Sequence, residues 1–182
     1  DGDLLNIRGI HNYYNILAAL SAIEQFQLEQ DRIIENLKSF TGLAHRLEFV
    51  RSINGVDFYN DSKATNIDSV IQALKSFTNN IILILGGRDK DLDFRELIPY
   101  LKKNTKKIIL IGEASEKIRN QIAGTVPMEK VNTMREVVER AYKEAGPEEV
   151  VLLAPGCASF DMYENYKQRG KEFKSLVNEL KE

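Results

Sequence analysis

One cysteine and two histidines among 182 residues exclude the chemistries that need several of either. Cys157 alone cannot form an internal disulfide. With His11 and His45 it falls short of a closed four-ligand zinc site unless carboxylates join them. Long apolar runs are also missing, since no stretch approaches the roughly 20 residues that cross a bilayer. Residues 1–12, DGDLLNIRGIHN, have neither the basic start nor the apolar middle of a secretory leader. Charge of one sign is lacking too. The 25 basic and 27 acidic residues leave a net charge of -2, and both signs alternate along 113–119 and 134–144, so no basic face suits a phosphate backbone. Repeats and low-complexity tracts are absent. Together these absences predict a cytoplasmic chain without nucleic-acid partners or membrane insertion. Its length suits one domain, or one domain with an appendage, burying roughly 70% of its unfolded surface without staples.

Apolar positions Ile16, Leu17, Leu20 and Ile23 recur at helical spacing within 12–26, and a second helix is predicted over 29–39. Thr41-Gly42 breaks that pattern. Beyond it LEFVRSI and VDFYN flank Asn54-Gly55, a strong hairpin signal, so a boundary is placed near Gly42. Apolar strands follow at 81–85, 107–112 and 150–154, each leading into an amphipathic segment: 94–101, 114–122 and 160 onward. A further helix is predicted over 134–143. Strands buried on both faces and alternating with helices indicate an α/β fold with a mostly parallel sheet. The first forty residues, a helical pair opening on the strand-like LLNIRG, are too small for a domain and read as the end of a preceding one.

The segment FYNDSKATNIDS (58–69) sets acid, cation, hydroxyls and amide directly after a strand, with Asn66 placed to cap the next helix. A capped turn with solvated charges is the plain alternative. Four further segments have the same two-sided character. In GIHNYYN, Asn12 and Asn15 lie one helical turn apart and could meet a purine edge or phosphate, or Asn12 could merely cap the helix. In HRLE, Arg46 could fork onto a phosphate or form a surface pair. GGRDKD follows a strand with two glycines that let the backbone approach a ligand and two cations, Arg88 and Lys90, to meet an anion. PGCASFD ends another strand, with Ser159 expected to cap a helix whose free amides favour a carboxylate; Cys157 reads as a small buried thiol.

Taken in order, GIHNYYN, HRLE, FYNDSKATN, LGGRDKDLDF and PGCASFDMYENYKQRGKEF resemble the Mur ligase family, and within it the members that add D-glutamate. Sister ligases share the HNxxN helix and the arginine followed by a glutamate but carry other residues in place of DSKATN. The resemblance covers essentially the whole chain. It implies that 1–42 end a central ATP-binding domain and that 43–182 form a Rossmann-like C-terminal glutamate ligase domain. The implied reaction is ATP-dependent: the carboxylate of UDP-MurNAc-L-Ala is phosphorylated, the amine of D-glutamate attacks the acyl phosphate, and phosphate leaves. By the same resemblance Asn12, Asn15, Arg46 and Asp61 hold ATP, and Lys63 stabilises charge on the reacting phosphate. Thr65, Lys90, Ser159 and the backbone near Phe160 and Tyr166 hold D-glutamate.

The loop GGRDKD departs from the family forms GGxDR and GGDGK and leaves open whether Arg88 or Lys90 meets the glutamate side chain. No G-x-x-x-x-G-K-[ST] loop occurs in the sequence. The expectation is therefore a C-terminal portion, inactive alone, that needs N-terminal and central domains in cis and Mg2+ held by upstream ligands. The rivals are a stand-alone nucleotide- or amino-acid-binding module and a related ligase such as folylpolyglutamate synthase, against which DSKATN speaks.

Overall fold

In a computed structural model the residues described are 9–78 and 80–181; the strand-like LLNIRG segment lies, up to residue 8, outside them. The chain forms two compact units, residues 1–43 and 44–182. In the first, α1 (Ile10–Ile23) continues into a 3-10 turn at Glu24–Phe26 and is followed by α2 (Gln30–Ser39).

The second unit opens with the hairpin of β1 (Glu48–Ile53) and β2 (Val56–Asn60), which pair antiparallel. Asn54 and Gly55 both take positive φ, 49° and 79°, as a two-residue primed turn requires. Then come α3 (Ile67–Lys75), β3 (Ile81–Gly86), α4 (Ile98–Asn104), β4 (Thr105–Ile111) and α5 (Ser115–Gln121). The chain continues through β5 (Met128–Lys130), α6 (Met134–Glu144), β6 (Val150–Gly156) and α7 (Tyr166–Glu179). The six strands are ordered β1-β2-β6-β3-β4-β5, and every pairing after the hairpin is parallel.

Alternation along the strands divides the core in two. Leu83, Leu85, Ile108, Leu110 and Leu152 face α3, α4 and α5, whereas Ile82, Ile84, Ile109, Val151 and Leu153 face α6 and α7. From β3 the chain steps outward through β4 and β5, then returns to lay β6 on the other side of β3. The carboxyl ends of β3 and β6 therefore flank the point where the winding reverses, and there a doubly wound sheet opens a crevice. Gly86 lets the end of β3 lie close against β4: at φ 129°, a Cβ would lie 1.8 Å from the Ile111 carbonyl oxygen.

Strand β5 was not expected, having only three residues and no apolar alternation to reveal it. Two sequence expectations are corrected. The predicted helix over 94–101 divides into a 3-10 turn, Phe94–Leu97, and α4, which has proline in its first turn. The helix expected at Phe160, capped by Ser159, begins only at Tyr166. Asn165 is the cap, its side chain accepting the Gln168 amide (3.0 Å) while the Gln168 side chain accepts the Glu164 amide (2.8 Å). Ser159 instead begins turns, its carbonyl accepting the amides of Met162 and Tyr163.

Candidate active-site cleft

A cleft of about 280 Å³ lies where the loops after β2, β3 and β6 meet the start of α7. It is lined by Thr65, Arg88, Lys90, Ser159, Phe160 and Tyr166, with Asp89, Ala158 and Asn165 completing the wall. All five residues expected to meet D-glutamate thus border one space. The β3 and β6 loops are laced together, since the Arg88 amide donates to the Ala158 carbonyl (2.8 Å) and the two residues form an isolated antiparallel bridge.

The DSKATN segment is pinned on both sides. The Asp61 amide donates to the Leu153 carbonyl and the Gly156 amide to that of Ala64, each at 2.8 Å. Within it the buried Asn60 side chain accepts the Ser62 amide (3.1 Å), and Asn66 caps α3 by accepting the Ser69 amide (2.8 Å). Thr65 thereby stands on a fixed corner. Lys63 holds its ammonium 5.4 Å from the centre of the Tyr166 ring, and its amide donates to the His45 carbonyl (3.1 Å). Among the described residues it has no carboxylate within 4 Å.

Arg46 is presented by a strained turn, with His45 and Leu47 on either side at φ 65° and 47°. Glu48 restrains this turn rather than pairing with Arg46: it accepts from the His45 amide (2.9 Å) and the Asn60 side chain (3.1 Å) and bonds the Lys174 ammonium. Although burial raises the Glu48 pKa, Lys174 and the His45 amide outweigh it and leave the carboxyl below its ordinary range. Burial lowers the pKa of His45 and favours its neutral form.

Sequence reasoning missed Arg169. Only 3% exposed, its guanidinium donates to the Ser62 hydroxyl (3.0 Å), the Ser62 carbonyl (2.9 Å) and the carbonyls of Cys157 (3.2 Å) and Ala158 (3.4 Å). It thus staples the β2 loop to the β6 loop with no carboxylate within 4 Å among the described residues, and burial draws its pKa down to about 10. A signal was present: Arg169, Phe173 and Leu176 follow the helical stripe that α7 turns inward. Cys157 is buried and its thiol is pushed up to about 12 by burial, which removes it as a nucleophile. Ser159 is 2% exposed, and its buried hydroxyl has no hydrogen-bond partner among the described residues.

Asp61 carries an electrostatic cost. Burial raises its pKa to about 6, against the opposing pull of the Leu47 amide and Arg46. A carboxyl that binds its proton more tightly when folded stabilises the fold below its ordinary pKa of 3.8, and this contribution is lost as pH rises through 6. Asp61→Asn should therefore raise stability by about 2 kcal/mol at pH 8 and by little at pH 4. Urea unfolding at the two pH values checks this, and equal effects at both would contradict it.

Asn12 and Asn15 lie on α1, in the other unit. Among the described residues no group of three or more His, Cys, Asp or Glu side chains could hold a metal ion, and no helix is long and apolar enough to cross a membrane.

Residues 45–157 match the family model described as "Mur ligase, glutamate ligase domain". The chain is 47% identical over 174 residues to the UDP-N-acetylmuramoylalanine--D-glutamate ligase of Solibacter usitatus, covering 96% of this chain and 39% of that protein. It is 46% identical over 180 residues to the ligase of the same name from Caldicellulosiruptor bescii, covering 98% and 39% respectively. The chain thus spans about two fifths of the length of these relatives. Its fold is shared by the UDP-N-acetylmuramate-alanine ligase MurC of Thermotoga maritima (TM-score 0.69, 12% identity, 96% of this chain and 39% of that one). It is shared also by the folylpolyglutamate synthase of Mycobacterium tuberculosis complexed with ADP (TM-score 0.67, 15% identity, 93% and 41%). With the family model matched over more than half of the chain, and a relative 47% identical across 96% of it, the chain belongs to the Mur ligase family.

Proposed function

We propose that this chain supplies the amino-acid-receiving wall of a cytoplasmic ligase that uses ATP to join D-glutamate to UDP-MurNAc-L-Ala. The observation that carries this reading is the polar complement of the cleft. Ser159, whose buried hydroxyl has no partner among the described residues, lines it with Thr65 and with Lys90, which has no carboxylate within 4 Å among them. Such a site suits an anion with several acceptor oxygens, which an amino acid with two carboxylates provides. Fold likeness alone does not choose the substrate, since an alanine-adding Mur ligase and a folylpolyglutamate synthase both share this architecture. The relatives at 41–47% identity favour D-glutamate, for which all are named.

In this reading 1–42 end the central ATP-binding domain and 43–182 form the glutamate ligase domain. Asn12 and Asn15 serve the nucleotide, Arg46 its phosphates and Asp61 its ribose. Lys63 stabilises charge as the γ-phosphoryl group passes to the carboxylate of UDP-MurNAc-L-Ala. The D-glutamate amine then attacks the acyl phosphate and phosphate is expelled, with Thr65, Lys90, Ser159 and the backbone near Phe160 and Tyr166 orienting the incoming amino acid. Mg2+ enters with the nucleotide through ligands outside the described residues.

Lys90→Met in the full-length ligase should raise KM for D-glutamate roughly 10- to 100-fold by removing a charge-assisted contact, while KM for ATP stays within about twofold. Steady-state kinetics with each substrate varied in turn checks this. An unchanged D-glutamate KM would remove Lys90 from the site.

A further inference from the structure

The cleft holds a second cation whose role the reading above leaves unassigned. Arg88 lines it beside Ser159, yet the guanidinium is engaged from outside: Nε donates to one Glu113 oxygen (3.2 Å) and Nη2 to the other (3.1 Å). Glu113 is not part of the lining. Both partners are about half exposed, at 48% and 55%, so water can replace either one at little cost and the pair opens readily.

The backbone on both sides of this pair is fixed. The Arg88 amide is bridged to Ala158, the Ala114 amide donates to the Gly87 carbonyl (2.9 Å), and the Glu113 amide donates to Asp161 (3.1 Å). Only side-chain torsions separate the paired Arg88 from one turned into the cleft. The cleft's own carboxylate does not compete, because Asp89 is occupied by Lys117 (2.6 Å) and the Leu92 amide (3.2 Å). Lys90 is thus an available cation and Arg88 a conditional one.

We propose that Arg88 is a second carboxylate-binding cation of this cleft and that Glu113 holds it in reserve, so that the side-chain carboxylate of the amino acid and Glu113 compete for one guanidinium. This rests on the D-glutamate reading above. Competition makes the two substitutions act with opposite sign. Arg88→Met should raise KM for D-glutamate about tenfold, whereas Glu113→Gln, which weakens the competitor, should lower it about threefold. The double variant should match Arg88→Met, because Glu113 acts only through Arg88. A merely structural pair would instead move both single variants in the same direction.

The test is steady-state kinetics of the full-length ligase and these three variants, with Lys90→Met alongside. Opposite shifts and a double variant like Arg88→Met support the inference. Like-signed or absent shifts while Lys90→Met still raises the D-glutamate KM overturn this inference alone. Absence of any D-glutamate-dependent ADP release by the unsubstituted enzyme overturns the underlying reading and the inference with it.

Discussion

Lys63→Met in the full-length ligase is expected to lower kcat about 100- to 1,000-fold, with a much smaller change in KM for D-glutamate. Several lysines of this domain are neutralised locally: Lys107 lies 2.8 and 2.9 Å from Glu129 and Glu144, and Lys174 is bonded to Glu48. Lys63 meets an aromatic face instead, which orients the ammonium without cancelling its charge. The backbone beneath it is held by the His45 carbonyl and by the Asp61-to-Ala64 turn, so the charge is positioned before substrates arrive. Fixed charge aimed at a developing anion is worth about 3–4 kcal/mol of barrier, hence the size of the expected loss. Single-turnover kinetics separates this from slow product release. A kcat within threefold of the parent would show that Lys63 is only a surface cation stacked on Tyr166.

Arg169→Met should be the most damaging substitution for stability, costing about 3 kcal/mol by urea unfolding. It strips hydrogen bonds from the carbonyls of Ser62, Cys157 and Ala158, all in places that water reaches poorly. Part of this loss is offset by no longer desolvating a guanidinium, which is why the cost is not larger. Arg169→Lys should rescue little, because an ammonium cannot span the two loops as the planar fork does. Loosening these loops would also let Lys63, Thr65 and Ser159 drift, so activity should fall even at temperatures where the variant is folded. An unfolding midpoint unchanged from the parent would contradict the staple.

The sheet and most helices were legible because their signals are local. Apolar runs at 81–85 and 150–154 mark strands buried on both faces, Asn54-Gly55 marks the hairpin, and Asn66 caps α3 as expected. Three features were not, each because it depends on contacts that only the folded chain makes. Arg169 looks like one more member of the alternating charges in YKQRGKEFK until its acceptors, 107 and 12 residues away, are brought to it. Ser159 looked like a helix cap, but Asn165 and Gln168 form a better one six residues later, and the hydroxyl is left buried without a partner among the described residues. The left-handed turns at His45 and Leu47 have no glycine to announce them. They are imposed by Glu48, Asn60 and the tight packing of α7, where a Cβ on Gly170 would lie 2.3 Å from the His45 ring.

In the proposed function one wall carries separate places for the phosphoryl group, at Lys63, and for the amino acid, at Lys90. Positional isotope exchange tests it most directly: in ATP labelled at the β,γ-bridge, oxygen scrambles when UDP-MurNAc-L-Ala is reversibly phosphorylated without D-glutamate. Lys90→Met should exchange at the parent rate and Lys63→Met should lose exchange; equal loss in both variants would contradict the division.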